Sequence, residues 1–146
     1  MSDMRNSLTG LTFLVVDDEP DNVGVVLRLL NMMGAAVIPA ENGEEGLEKA
    51  HHHHPDVIFA DLSMPVMTGW QMLYEVKHDT DLEKIPVIAL TAHAMSGDRE
   101  RVLSAGFAGY IPKPIDVPVF MPTIVTMLRG FTELKPYFQA EVRETS

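Results

Sequence analysis

Apolar positions along the chain fall into two alternating patterns, short β-branched runs and longer stretches with helical spacing. Thr12 to Val16 is a compact apolar run that predicts a buried strand. It is followed by Asp21 to Met33, where Val23, Val26, Leu27, Leu30 and Met33 recur on one helical face. Pro20 near the start and Gly34 past the end supply start and stop signals. Ala36 to Ile38 predicts a second strand, cut by Pro39, and Asn42 caps a helix over Gly43 to His52. Glu44 and Glu45 lie in that helix's first turn, where negative charge suits the helix dipole.

The alternation continues with a strand over Asp56 to Ala60 and a helix over Thr68 to Lys77. Pro86 to Leu90 is apolar throughout, as a strand covered on both faces must be. Ser96 then caps a short polar helix ending near Gly106, Phe107 to Ile111 predicts a fifth strand, and Asp116 to Arg129 a fifth helix. Within that last helix Pro122 removes an interior hydrogen bond, so the helix is expected to start late or to kink. Five strand–helix units predict an α/β fold, a parallel sheet with helices on both faces. One domain over residues 10–130 accounts for them, with a flexible N-terminus at 1–9 and a tail at 131–146.

Composition narrows the class. The 146 residues are 46% hydrophobic, enough for a core, and carry 11 basic against 21 acidic side chains. A net charge of −10 argues against nucleic acid and anionic membrane surfaces, which both require surplus Lys and Arg. The absence of cysteine excludes disulfides, thiolate metal sites and a Cys nucleophile. No apolar run approaches the roughly 18 residues of a membrane span, and Met1 to Gly10 lacks a secretory signal's apolar stretch, so the expected location is cytoplasmic.

In a parallel α/β sheet, ligands bind beyond the carboxyl ends of the strands. Those ends carry Asp17-Asp18-Glu19 after the first strand, Asp61 after the third, Thr91 after the fourth and Lys113 after the fifth. Three converging carboxylates, Asp17, Asp18 and Asp61, repel one another unless a cation joins them. A hard divalent ion such as Mg²⁺ answers that need with oxygen ligands. A carboxylate beside such a metal can attack a phosphoryl group, whose oxygens Mg²⁺, Lys113 and the Thr91 hydroxyl can then neutralise.

Four segments, Val15-Val-Asp-Asp-Glu-Pro20, Asp61-Leu-Ser-Met-Pro65 with Gly69, Leu90-Thr-Ala92 and Tyr110-Ile-Pro-Lys-Pro114, closely resemble the receiver domain of two-component response regulators. The resemblance spans residues 10–130, with 44, 30 and 22 positions separating Asp17, Asp61, Thr91 and Lys113. It implies a flavodoxin-like (βα)5 fold with strand order 2-1-3-4-5, and a phosphorylation-activated signalling switch that is not an enzyme in the metabolic sense. By resemblance, Asp61 is the phosphoacceptor, Asp18 binds Mg²⁺ directly, Asp17 binds it mainly through water, and Ser63 offers it a backbone carbonyl. Thr91 and Tyr110 are the switch pair, Lys113 bridges acceptor and phosphoryl group, and Lys113-Pro114 is a cis peptide.

The implied partners are a histidine kinase or histidine phosphotransfer protein and a downstream protein target. The implied state is a monomer or a weak phosphorylation-dependent dimer, without an output domain. Two other functions share these residues. One is a phosphorelay intermediate that passes the phosphoryl group onward. The other is an Mg²⁺-dependent phosphohydrolase with an Asp nucleophile, disfavoured because Ser63 stands where a general acid belongs and no cap insertion is present. A degenerate receiver acting only as a binding module ranks last, since every key residue is in place.

Several residues invite simpler readings. Glu19 suits capping or solvation better than metal contact. His51 to His54, at the end of the second predicted helix and far from the strand ends, suit the helix dipole better than a metal. Trp70 and the ten Met residues read as packing. His93, two positions beyond Thr91, lies at the rim of the expected site, at a position variable in the family that influences how quickly the phosphoryl group is lost. The short polar helix after Ser96 is the element expected to move on phosphorylation.

Overall fold

Each apolar run becomes a strand and each amphipathic stretch a helix. A computed structural model describes residues 6–92 and 98–139. In chain order the elements are β1 (Thr12–Val16), α1 (Pro20–Met32), β2 (Ala36–Ala40), α2 (Gly43–His53), β3 (Val57–Asp61), α3 (Gly69–Lys77), β4 (Val87–Thr91), α4 (Asp98–Ala105), β5 (Gly109–Pro112) and α5 (Val117–Arg129). A 3-10 turn at Thr132–Leu134 and a helical stretch at 135–139 follow. Every strand pair is parallel and the order is β2-β1-β3-β4-β5, as the resemblance implies.

Burial explains which runs are apolar throughout. All five residues of β3 and of β4 are buried, because helices cover both faces of the central strands. One core layer joins Phe13, Val15, Phe59, Ile88 and Leu90 to α1 and α5 through Val26, Leu30, Ile124 and Leu128. The other joins Leu14, Val16, Ile58, Ala60 and Ala89 to α2, α3 and α4 through Ala50, Met72, Val76 and Val102. In α1 the deeply buried residues are Val26, Leu29 and Leu30, so Leu29 takes the inward place the periodicity assigns to Leu27.

The structure departs from expectation at Pro39 and, at Pro122, rules out one of the two expected outcomes. β2 continues through Pro39 to Ala40, because β2 is an edge strand where a missing N–H leaves no ladder bond unmade. α5 begins at Val117 and contains Pro122, so it does not start late. Phe107 precedes β5 and plugs the second core layer, 3% exposed. Ser96 and His93 lie outside the described residues.

The stretches flanking residues 10–130 contribute to the same core. Leu8 is fully buried and its N–H donates to Met33 O at 2.7 Å, so residues 6–9 are tied to the end of α1. After α5, Leu134 and Phe138 join the first core layer, and the Arg129 guanidinium sits 4.9 Å from the Phe138 ring centre. The Tyr137 hydroxyl donates to Thr9 O at 2.9 Å, closing one end of the chain onto the other.

Candidate functional site

The parallel sheet places the carboxyl ends of β1, β3, β4 and β5 along one edge, and the polar residues expected there converge. Asp17 follows β1, and its N–H donates to Ala40 O at 3.0 Å, extending the ladder by one residue. Asp61 is the last residue of β3 and Thr91 the last of β4. All three are buried, at 2%, 3% and 3% exposure, whereas Asp18 and Glu19 face solvent. Lys113 follows β5, held by its N–H to Thr91 O at 2.8 Å and by the cis bond to Pro114.

The Lys113 ammonium is the electrostatic centre. It lies 3.1 Å from Asp61 Oδ2, 3.2 Å from Asp17 Oδ2 and 3.6 Å from Glu19 Oε1. The other oxygens of the buried carboxylates take backbone donors: Ser63 N–H reaches Asp61 Oδ1 at 3.1 Å, and Glu19 N–H reaches Asp17 Oδ1 at 2.9 Å. Burial pushes the Asp17 carboxyl up to about 6, and the neighbouring Asp61 charge adds to that, against the Glu19 N–H and the Lys113 ammonium. Burial alone would disfavour the Lys113 ammonium, but the charges of Asp17 and Asp61 outweigh it and raise its pKa.

Asp17, Asp18, Glu19 and Asp61 each bring a carboxylate oxygen within 4.8 Å of the others. Of the two readings of Glu19, solvation holds and capping does not: its side chain is 63% exposed. It occupies the N-cap position of α1, yet its side chain makes no capping hydrogen bond and faces Lys113 instead. Four clustered oxygen donors of one sign, two of them buried beside a single ammonium, fit a hard divalent cation better than any soft metal.

The loop from β3 to α3 is shaped around Asp61. Met67 N–H donates to Pro65 O at 2.7 Å, a three-residue turn centred on Val66 at φ +69°, a conformation that strains a β-branched residue. Thr68 then caps α3 through a reciprocal pair with Gln71. Gly69 packs against the phosphoacceptor candidate's own backbone, since a Cβ there would stand 2.4 Å from Asp61 O. No side chain can occupy that space without moving Asp61.

Beside Asp61 and Thr91 opens a cleft of about 350 Å³ lined by Ser63, Trp70, Thr91, Asp98, Arg101 and Val102. Trp70 is therefore more than packing: one edge meets Phe107 (5.5 Å between ring centres), and Arg101 stands 5.6 Å from its ring. Trp70 and Arg101 join the site only because α3 and α4 flank it, and its adjacency to Gly69 is the one sequence signal for Trp70. Tyr110 pairs in register with Ala89, two residues before Thr91, so Tyr110 and Thr91 share the sheet face that α4 covers. His51 to His54 lie at the opposite edge, at the end of α2, as the sequence indicates.

The sequence model of the response regulator receiver domain family matches residues 13–124. The chain belongs to that family. It is 40% identical over 115 residues to the polar-differentiation response regulator DivK of Brucella ovis, covering 79% of this chain and 94% of that protein. The chemotaxis response regulator CheY4 of Vibrio cholerae superposes with a TM-score of 0.75 at 28% identity, covering 82% of this chain and 99% of that one. The receiver domain of sensor histidine kinase PA1611 from Pseudomonas aeruginosa, solved with a magnesium ion coordinated in its active site cleft, superposes at 0.72 with 30% identity, covering 84% and 98%. Receiver domains are signalling switches rather than metabolic enzymes, and none of the described helices is long and apolar enough to cross a membrane.

Proposed function

We propose that this receiver domain accepts a phosphoryl group on Asp61 from a phosphohistidine carried by a histidine kinase or histidine phosphotransfer protein. The carrying observation is the Lys113 ammonium held 3.1 Å from Asp61 Oδ2 and 3.2 Å from Asp17 Oδ2 within a cluster of four carboxylates. An Asp61 carboxylate oxygen forms the new O–P bond as the N–P bond of the phosphohistidine breaks, and the leaving imidazole nitrogen keeps the electron pair. Lys113 neutralises one phosphoryl oxygen and the Thr91 hydroxyl donates to another. The Ser63 N–H fixes the rotation of the Asp61 carboxylate, so attack requires little reorganisation.

Asp17, Asp18 and Asp61, with the Ser63 carbonyl, would hold Mg²⁺, which the PA1611 receiver carries in its cleft. When bound, it supplies the positive charge that lets carboxylates and phosphoryl oxygens share one pocket. The switching surface follows from the face shared by Thr91 and Tyr110. α4 lies over it with a single buried residue, Val102, so moving α4 breaks few apolar contacts. A hydrolase reading is disfavoured because the residue two positions after Asp61 is Ser63, whose hydroxyl does not give up a proton near neutral pH as a carboxylic acid would.

Incubation with Mg²⁺ and acetyl phosphate tests the proposal. The expected result is a mass increase of one phosphoryl group in the wild type, absent in Asp61→Asn and sharply reduced by chelation with EDTA. An unmodified wild type, or equal labelling of Asp61→Asn, overturns it. Steady release of phosphate from small phosphoesters would favour the hydrolase.

A further inference from the structure

Transfer of a phosphoryl group also requires a place for the leaving group, and neither Lys113 nor Thr91 supplies one. The acidic cluster of Asp17, Asp18, Glu19 and Asp61 disfavours any group that departs with negative charge. The cleft of about 350 Å³ beside the acceptor is a different environment. Ser63, whose N–H holds the Asp61 carboxylate, lines it together with Thr91. Trp70 of α3 and Asp98 and Arg101 of α4 line it as well, so one cavity joins the acceptor's own neighbours to α4.

Arg101 is the only basic side chain among the described residues that line this cleft. It is held loosely. Its Nη1 lies 3.5 Å from Asp98 Oδ1, longer than the roughly 2.7–2.9 Å of a strong charge-assisted hydrogen bond. Its guanidinium carbon stands 5.6 Å from the Trp70 ring centre, near the outer limit of about 6 Å for a cation–π contact. The side chain is 73% exposed. Among the described residues, most of its N–H donors therefore remain available for a second carboxylate.

We propose that the cleft is a leaving-group subsite for small acyl phosphates, with Arg101 as the residue that selects them. The inference rests on Asp61 as the phosphoacceptor. An Asp61 carboxylate oxygen bonds to phosphorus as the P–O bond to the acyl group breaks. The electron pair stays on the acyl oxygen, and a carboxylate departs. Its growing charge meets the Arg101 guanidinium, whose planar fork of donors matches a carboxylate, while the short acyl chain lies against Trp70. Phosphoramidate offers the same phosphoryl group, but its protonated nitrogen departs as neutral ammonia and gains nothing from a cation. Because the phosphoryl group is common to both donors, the ratio of their rates isolates recognition of the leaving group.

Initial rates of labelling by acetyl phosphate and by phosphoramidate, each with Mg²⁺ and read by intact mass, test the assignment. Arg101→Gln should lower the ratio of acetyl phosphate to phosphoramidate rates about threefold, the scale of an exposed ion pair. Added salt should lower the wild-type ratio by screening the guanidinium, and should not lower the ratio of Arg101→Gln. Arg99→Gln removes the same charge from an exposed position of α4 outside the cleft, and should keep the wild-type ratio. Circular dichroism establishes that each variant is folded. An unchanged ratio in Arg101→Gln overturns the subsite, and so does an equal fall in Arg99→Gln, which would assign the effect to net charge. Labelling by neither donor, or labelling that survives Asp61→Asn, overturns instead the phosphoacceptor on which the subsite rests.

Discussion

Lys113→Met removes the one ammonium that stands within 3.2 Å of both buried carboxylates while keeping an apolar stem of similar length. Breaking a fully buried ion pair by deleting one partner costs about 3–5 kcal/mol. Here Asp18 and Glu19 are exposed and keep one side of the site wet, so the expected loss at pH 7.5 without Mg²⁺ is about 2–3 kcal/mol. For a domain of this size that lowers Tm by about 6–12 °C. The cause fixes a pH signature. The Asp17 carboxyl, already pushed up to about 6, rises further without the ammonium, so between the unfolded carboxylate range and that value the native state binds the extra proton. Stability then increases as pH falls, and the penalty of the substitution shrinks between pH 7.5 and pH 5. Urea melts at both pH values, with and without 10 mM-range Mg²⁺ (about 10 mM, well above the weak affinities of open carboxylate sites), provide the assay. A penalty equal at both pH values and unrelieved by Mg²⁺ would refute the electrostatic reasoning and leave only packing of the lysine stem.

The wild type should show the same sign in weaker form. A folded-state pKa of about 6 means that ionising Asp17 opposes folding, so the metal-free protein gains stability from this group as pH drops from 7 towards 5, and urea midpoints across that range measure it. Gly69→Ala forces a Cβ to 2.4 Å from Asp61 O, against backbone that cannot rotate away. It should cost about 1–3 kcal/mol in denaturant melts and slow acetyl phosphate labelling, whereas Gly24→Ala in α1, whose Cβ would meet only the Arg28 side chain at 3.5 Å, should leave labelling unchanged. Phe138→Ala, which empties a buried position outside residues 13–124, should destabilise by about 2–3 kcal/mol, below a central Phe because it lies near a chain end. Labelling at Asp61 should be unaffected, and calorimetry with mass spectrometry separates the two effects.

Much of the molecule was legible because strand and helix periods are local properties. A β-branched run such as Thr12 to Val16 has few alternatives once helices flank it, and a parallel sheet sends its polar strand ends to one edge. Asp17, Asp61, Thr91 and Lys113 could therefore be placed together from positions along the chain, and the strand order followed from the family resemblance. Pro39 and Pro122 were harder. Whether a proline breaks an element depends on whether its missing N–H has a partner to lose, and β2 lies at the edge where it has none.

What only the tertiary structure decided are the quantities that depend on several elements at once. Glu19 reads as a cap or a solvated charge in one dimension; in three it makes no cap and stays exposed, with its carboxylate 3.6 Å from the Lys113 ammonium that β5 delivers. Trp70 and Arg101 become walls of a cleft because α3 and α4 happen to flank Asp61. The histidine run, uniform in sequence, is divided because Asp79 and Asp81 from a different segment pair with His51 and His54. Sequence determines which chemistry is present and at which strand end it emerges. Distance, burial and the partner each charge finds arise only when separate segments meet, since Coulomb energy and desolvation depend on where groups lie in space and not on their separation along the chain.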